Sequence, residues 1–192
     1  MRYAKDHREK TRRRIVETAS RALRRNGIGA SGVVGLMSEA GLTQGGFYTH
    51  FASKDALVGE AIDHAQKNAR RWLAGVAAAA REKQGDPVSA VIDAYLSVAH
   101  LDAAGGGCTL AALGSEIGHQ SDAIRRSAFS GMADIIELLA EQMPAERRHL
   151  ASAFYGLLAG TLQLARLAPT REEQEAVLEA GRRAARDITG AR

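Results

Sequence analysis

Between Thr43 and Lys54 the chain carries hydroxyl, amide, imidazole and ammonium groups and not one carboxylate. Phe47 and Phe51 are four residues apart and share an inward face. That leaves Gln44, Gly45, Tyr48, Thr49 and His50 on the outer face or at its margins. Thr43 is placed to cap a helix, its hydroxyl accepting an early backbone N–H. The free N–H groups of such a helix start favour an anion such as phosphate. Gly45 and Gly46 weaken a helix by roughly 1 kcal/mol each relative to alanine. They fit a place where something bulky, such as the edge of a DNA groove, must approach the backbone. On residue types alone two readings stand: a DNA-facing surface, or a flexible loop beside an ordinary half-buried aromatic.

Other reactive groups are sparse. Cys108 is the single cysteine, and the six histidines are scattered without zinc-ligand spacing. Gly105-Gly106-Gly107 lacks the Lys-Ser/Thr of a phosphate-binding loop and a strand before it. A Cys–His nucleophile between Cys108 and His100 or His119 is the remaining formal route to an enzyme. The expectation is a protein with no enzymatic activity, no cofactor and no metal. One cysteine excludes an internal disulfide and fits a reducing cytoplasm. No apolar run is long enough to span a bilayer, and the basic N-terminus is not followed by the apolar segment of a secretory signal.

Charge is unevenly placed. Residues 1–30 hold ten Lys/Arg against Asp6, Glu9 and Glu17, a balance of +7 within a total of +4, so the remainder is −3. A basic N-terminal arm on a mildly acidic body is the electrostatic footprint of nucleic-acid binding.

The elements that position these groups are helices. Alanine is abundant and β-branched runs are few, so the sequence predicts an all-α fold. Residues 1–9 are expected to fray, followed by a helix from Lys10 to Asn26 with Ile15, Ala19, Ala22 and Leu23 inward. Gly27 ends it. Ser31 reads as the N-cap of helix 2, which Gly41 stops. A helix from Ser53 continues into, or merges with, one running through Arg81. Asp86-Pro87 opens a helix to about Leu101. A glycine loop, 103–108, precedes a short helix with Leu110, Leu113 and Ile117. Ser121-Asp122 opens another, with Ile124, Phe129, Met132, Ile135, Ile136 and Leu139 inward. Glu146 to Ala168 forms the most apolar helix, and a last one follows Pro169-Thr170. A helix apolar on more than one side needs neighbours on more than one side. Phe154, Gly156, Leu157, Gly160 and Leu164 are therefore the candidate dimer contacts.

Residues 12–62 resemble the DNA-binding domain of TetR-type transcriptional regulators. The matching residues are Arg14-Ile15-Val16, Gly27, Ala40-Gly41-Leu42-Thr43, Gly46-Phe47-Tyr48-Thr49-His50-Phe51 and Ser53-Lys54-Asp55-Ala56-Leu57. The resemblance covers about a quarter of the chain. Gly32-Val33-Val34-Gly35 departs from it, since the family has a better helix former and a polar side chain there. The resemblance implies an N-terminal three-helix helix-turn-helix domain, 1–56, and a helical effector-binding and dimerisation domain, 57–192. It implies a cytoplasmic homodimeric repressor that binds palindromic double-stranded operator DNA and releases it on binding a small-molecule inducer. Tyr48, His50, Lys54 and the hydroxyls of Ser31 and Thr43 would hold phosphates, Gln44 and the Gly45-Gly46 backbone would face bases, and Thr49 belongs to the same DNA-binding set. An effector pocket in the body would take in Trp72, Tyr95, Cys108 and Phe129. Gly107-Cys108-Thr109-Leu110, with Glu116 beyond, resembles a Gly-Cys element of many such bodies, and in a few of them that cysteine senses oxidants or electrophiles. Two alternatives therefore stay open: a redox-sensing repressor acting through Cys108, and a helical interaction protein with a vestigial DNA domain.

The DNA reading separates two substitutions. Lys54→Ala should weaken binding to all sequences and lower the salt slope by about 1 per half-site. Gln44→Ala should instead change which base is preferred, at roughly 1–3 kcal/mol per lost bidentate contact. Salt-titrated binding to a randomised operator library reads both.

Overall fold

Short polar caps and glycines set most helix ends. Residues 2–103 and 105–191 are described by the computed structural model. Among them are nine α-helices, two 3-10 helices and no strand. The helices are α1 Arg2–Asn26, α2 Val33–Glu39, α3 Lys54–Glu82, α4 Pro87–Tyr95, α5 Val98–Asp102, α6 Thr109–Gly118, α7 Asp122–Gln142, α8 Ala151–Leu167 and α9 Arg171–Thr189. The 3-10 helices are Gln44–Thr49 and Ala145–Leu150. Ser53 caps α3 by accepting from the Ala56 N–H at 3.1 Å. Asp86 accepts from Val88 and Ser89, with Pro87 in the first turn of α4. Thr170 and Glu173 form a reciprocal capping box at the start of α9.

Several expectations are corrected. The first helix begins at Arg2, so residues 2–9 are helical rather than frayed; Met1 lies outside the described residues. This stretch has neither Gly nor Pro, and Asp6–Lys10 and Glu9–Arg13 have helix-supporting i,i+4 spacing. The helix expected to reach Leu101 breaks at Leu96. Ser97 restarts it by capping the His100 N–H at 3.1 Å. The apolar stretch from Glu146 is split, its first turn being 3-10. Phe129 is exposed (71%), because α7 buries Ile124, Ala128, Ile135, Leu138 and Leu139 instead. Leu164, a candidate dimer contact, points out of α8 (58% exposed).

Two apolar clusters form the interior. One gathers α3, α4, α7, α8 and α9 around Leu73, Ile92, Tyr95, Phe154, Leu158 and Leu178. The other packs Ile15, Leu23, Met37, Phe47 and Phe51 against Leu57 and Ile62 of α3. Leu113 and Ile117 of α6, with Ile124 and Ala128 of α7, complete that second cluster. The N-terminal helices therefore share a core with the body, and α3, 29 residues long, runs through both clusters.

Candidate nucleic-acid interface and effector cavity

The helix-turn-helix is built on Gly41, whose φ of +69° only glycine adopts without strain. Leu36 and Met37 bury the inward face of α2, so Gly32 at its N-cap and Gly35 within it are tolerated in a helix of seven residues. Phe47 and Phe51 stack at 5.7 Å beneath the turn. Opposite them Thr43, Gln44, Gly45, Tyr48 and Thr49 are exposed.

The segment expected to be a short α-helix is a 3-10 helix. Two adjacent glycines weaken α-helical hydrogen bonding, and the Thr49 hydroxyl donates back to the Gly46 carbonyl at 2.7 Å. Thr43 stands at its N-cap position, but its hydroxyl makes no capping bond. Ser31 does not cap α2; Gly32 does, and the buried Ser31 hydroxyl donates to the Gly27 carbonyl at 2.6 Å. A hydroxyl held that way is turned from a phosphate outside. Lys54 donates to the Ile28 carbonyl at 2.9 Å, which uses one of its three ammonium protons.

Around His50 the chain is basic. Arg12 pairs with Glu60, stacks over the Phe51 ring at 4.6 Å and donates to the His50 carbonyl at 3.3 Å. Arg8 donates to the Thr49 carbonyl. Burial, with Arg8 and Arg12 nearby, lowers the His50 pKa.

A cavity of about 470 Å³ lies where α1 meets the body. Trp72, Tyr95 and Cys108 line it; Phe129 does not, and sits on a separate groove with Leu110 and Ile117. The α1 side contributes Glu17, Ser20, Arg21 and Arg24, and α3 adds His64 and Asn68. None of these was assigned from sequence to an effector site. The available signal was Ser20, a hydroxyl that falls among the buried residues of α1.

At the deep end the break after Tyr95 frees its carbonyl, which accepts from His100 Nδ1 at 2.7 Å. His100 Nε2 accepts from the Cys108 N–H at 3.1 Å. The ring is therefore neutral, with its proton on Nδ1, and burial lowers its pKa. It bonds the Cys108 backbone, while the Cys108 Sγ lies 3.4 Å from the Tyr155 hydroxyl. Burial is the main cause that raises both tyrosines, Tyr95 and Tyr155, well above the ordinary phenol range.

Two contacts tie α1 to this end of the body. Arg24 donates to the Gly105 carbonyl through Nε and Nη2, at 3.0 and 2.7 Å. Glu116 of α6 accepts from the N–H groups of Ile28 and Gly29 at 2.8 and 2.9 Å.

Residues 15–61 match the family model of bacterial regulatory proteins, tetR family. This segment is a TetR-family DNA-binding domain. The whole chain also superposes on solved structures. These include Escherichia coli NemR in its reduced form (TM-score 0.77, 19% identity, 93% of this chain and 96% of that one). A TetR-family regulator from Cytophaga hutchinsonii gives 0.73 and 18%, over 97% and 98% of the two chains. RolR complexed with resorcinol gives 0.52 and 18%, over 96% and 95%. At these identities the likeness carries the fold. No curated protein matches the chain. Among the described residues, no helix is long and apolar enough to cross a membrane.

Two outcomes follow from this geometry. Apart from its chain neighbours and the adjoining helix backbone, no described atom lies within 4 Å of a Cβ built at Gly45. Gly45→Ala should leave the melting temperature unchanged or raised, yet weaken operator binding, because only DNA would meet the added methyl. Calorimetry with a gel shift checks both halves.

His50, His64 and His100 all have pKa values lowered from 6.5, chiefly by burial. Below that value the unfolded chain binds more protons than the folded one, so stability is complete above about pH 6.5 and falls as the pH drops. The melting temperature should decline on acidification, and His100→Asn should make the decline shallower.

Proposed function

We propose that this TetR-type regulator is a ligand-responsive repressor that works as a cytoplasmic homodimer. Residues 1–56 grip operator DNA, and residues 57–192 dimerise and hold most of the effector site. Tyr48, Thr49, His50, Lys54 and the Thr43 hydroxyl meet phosphates, while Gln44 and the Gly45-Gly46 backbone face base edges. The observation that carries the repressor reading is the cavity: its walls come from α1 on one side and α3, α4, α5 and α8 on the other. A ligand there touches the DNA-binding domain and the body at once. It releases DNA by binding more tightly to the arrangement whose recognition segments no longer fit the operator. RolR with its resorcinol supports a small-molecule effector.

A second reading is favoured by one placement. Cys108 lines the same cavity, and the E. coli relative was solved in a reduced form. Operator release by hypochlorite from the wild type but not from Cys108→Ser selects a redox effector. Equal release from both leaves Cys108 as a packing residue.

Dimerisation is assigned to the outward face of α8. Gly156 and Gly160 are exposed there, beside Leu164 and Leu167 at 58% and 80% exposure. Phe154 is removed from the candidate contacts, since it is buried in the protomer core. With no described atom outside the adjoining α8 backbone and chain neighbours within 4 Å of a Cβ at 160, Gly160→Glu should fold yet be monomeric by light scattering. Operator affinity should fall with it, because two half-sites are no longer gripped together. Footprinting of the wild type on its own upstream region tests the repressor reading. A protected palindrome is expected, and protection of no site would overturn it.

A further inference from the structure

We infer that the cavity between α1 and α3–α5 binds a flat aromatic carboxylate, a conclusion that rests on the effector reading above. The volume of about 470 Å³ holds a molecule of one or two rings. One wall is aromatic: Trp72 packs 5.1 Å from His100 and 6.4 Å from Tyr95, and Tyr95 meets His100 edge-on at 4.7 Å. Trp72 is 39% exposed although it lines a cavity, so an aromatic face stands uncovered where a ring would lie.

The polar groups choose the substituent. The buried Ser20 hydroxyl makes no hydrogen bond, and the Tyr95 hydroxyl, on a side chain 1% exposed, has no oxygen or nitrogen partner, only the weakly bonding Cys108 thiol beside it. Buried hydroxyls without partners are costly unless a ligand supplies an acceptor. The charge is positive. Glu17 is the sole carboxylate in the lining, set against Arg21 and Arg24 on the same helix. Arg24 spends Nε and Nη2 on a neutral carbonyl and has Nη1 to offer. Burial lowers its pKa, as expected of a cation taken from water without a facing acid. Arg166 stands behind Gly107 with a buried Nη2 that has no partner. His64 and His100, both with lowered pKa, add no charge near pH 7. A carboxylate matches this arrangement, and an amine meets two arginines. A carboxylate on the Arg24 fork also competes with the Gly105 carbonyl, so occupancy loosens one of the two polar contacts between the α1 segment and this end of the body.

Trp72 is the only tryptophan in the chain, so its fluorescence reports this cavity alone. Three probes of one shape decide the class: cinnamate, the neutral cinnamamide and the cationic 3-phenylallylamine. Cinnamate should quench Trp72 saturably, with a Kd at least about tenfold below that of the amide, and the amine should not saturate. Arg24→Gln should erase the preference for cinnamate over cinnamamide, and Arg24→Lys should retain part of it. Amide binding as tight as cinnamate, or saturation by the amine, overturns the carboxylate; no saturable quenching by any probe overturns the aromatic ligand. Because the wild type alone gives these outcomes, poor folding of a variant does not shield the inference. Operator footprinting of the ligand-free protein runs alongside. Saturable cinnamate binding without DNA protection would sink the repressor reading and leave the ligand class standing, and the reverse result would do the opposite.

Discussion

The Glu116 carboxylate is the tie on which the arrangement of the two halves depends. It accepts two backbone N–H groups, Ile28 and Gly29, in the turn after α1. Hydrogen bonds to a charged acceptor are worth about 1.5–3 kcal/mol each, well above the exposed Arg25–Glu39 pair nearby. The contact also dictates a residue type: Gly27 has φ +87°, and a Cβ there would lie 2.6 Å from Glu116 Oε1. With Leu113 and Ile117 buried in the N-terminal cluster, α6 is fixed to the DNA-binding helices by a polar latch and an apolar seat. Any movement of α6 is therefore felt at the turn leading into α2.

The cavity sits beside that latch, and its walls were shaped by breaks as much as by helices. Leu96 leaves α4, the Tyr95 carbonyl becomes available, and His100 takes it. The same ring then receives the Cys108 N–H, which positions the start of α6. One neutral imidazole thus links the end of α4 to the start of the helix that carries Glu116. The unpartnered Ser20 hydroxyl lies in the lining with the aromatic wall, and a buried Arg166 Nη2 without a partner stands behind it, an interior that is incomplete by the ordinary rule that buried polar groups are paired.

The recognition segment shows the opposite economy. It is six residues of 3-10 helix held by Phe47 from below and by the Thr49 hydroxyl along its own backbone. Glycines at 45 and 46 give up α-helical stability and leave the backbone uncovered on the outside. Exposed Tyr48, 72% accessible and edge-on to Phe47 at 5.2 Å, is aimed outward by the core beneath it.

Local signals were legible in the sequence because the groups that create them are neighbours in the chain. Gly41, the Phe47–Phe51 spacing, Asp86-Pro87 and Pro169-Thr170 each fix a turn, a face or a helix end within a few residues. These sufficed for the all-α class, the helix-turn-helix and the outward Gln44, Gly45, Tyr48 and Thr49, with His50 half-buried at the margin. Tertiary structure decided what depended on distant partners. The stripe of α7 admits two readings by spacing, and packing against α3 and α8 chose the one that leaves Phe129 in solvent. Ser31 had the composition of a cap, but the Gly27 carbonyl claimed its hydroxyl. The cavity draws Ser20 and Arg24 beside Tyr95 and Cys108, more than seventy residues along the chain, and no periodicity within one helix encodes that meeting. Spacing tells which face of a helix turns inward; only docking tells what it finds there.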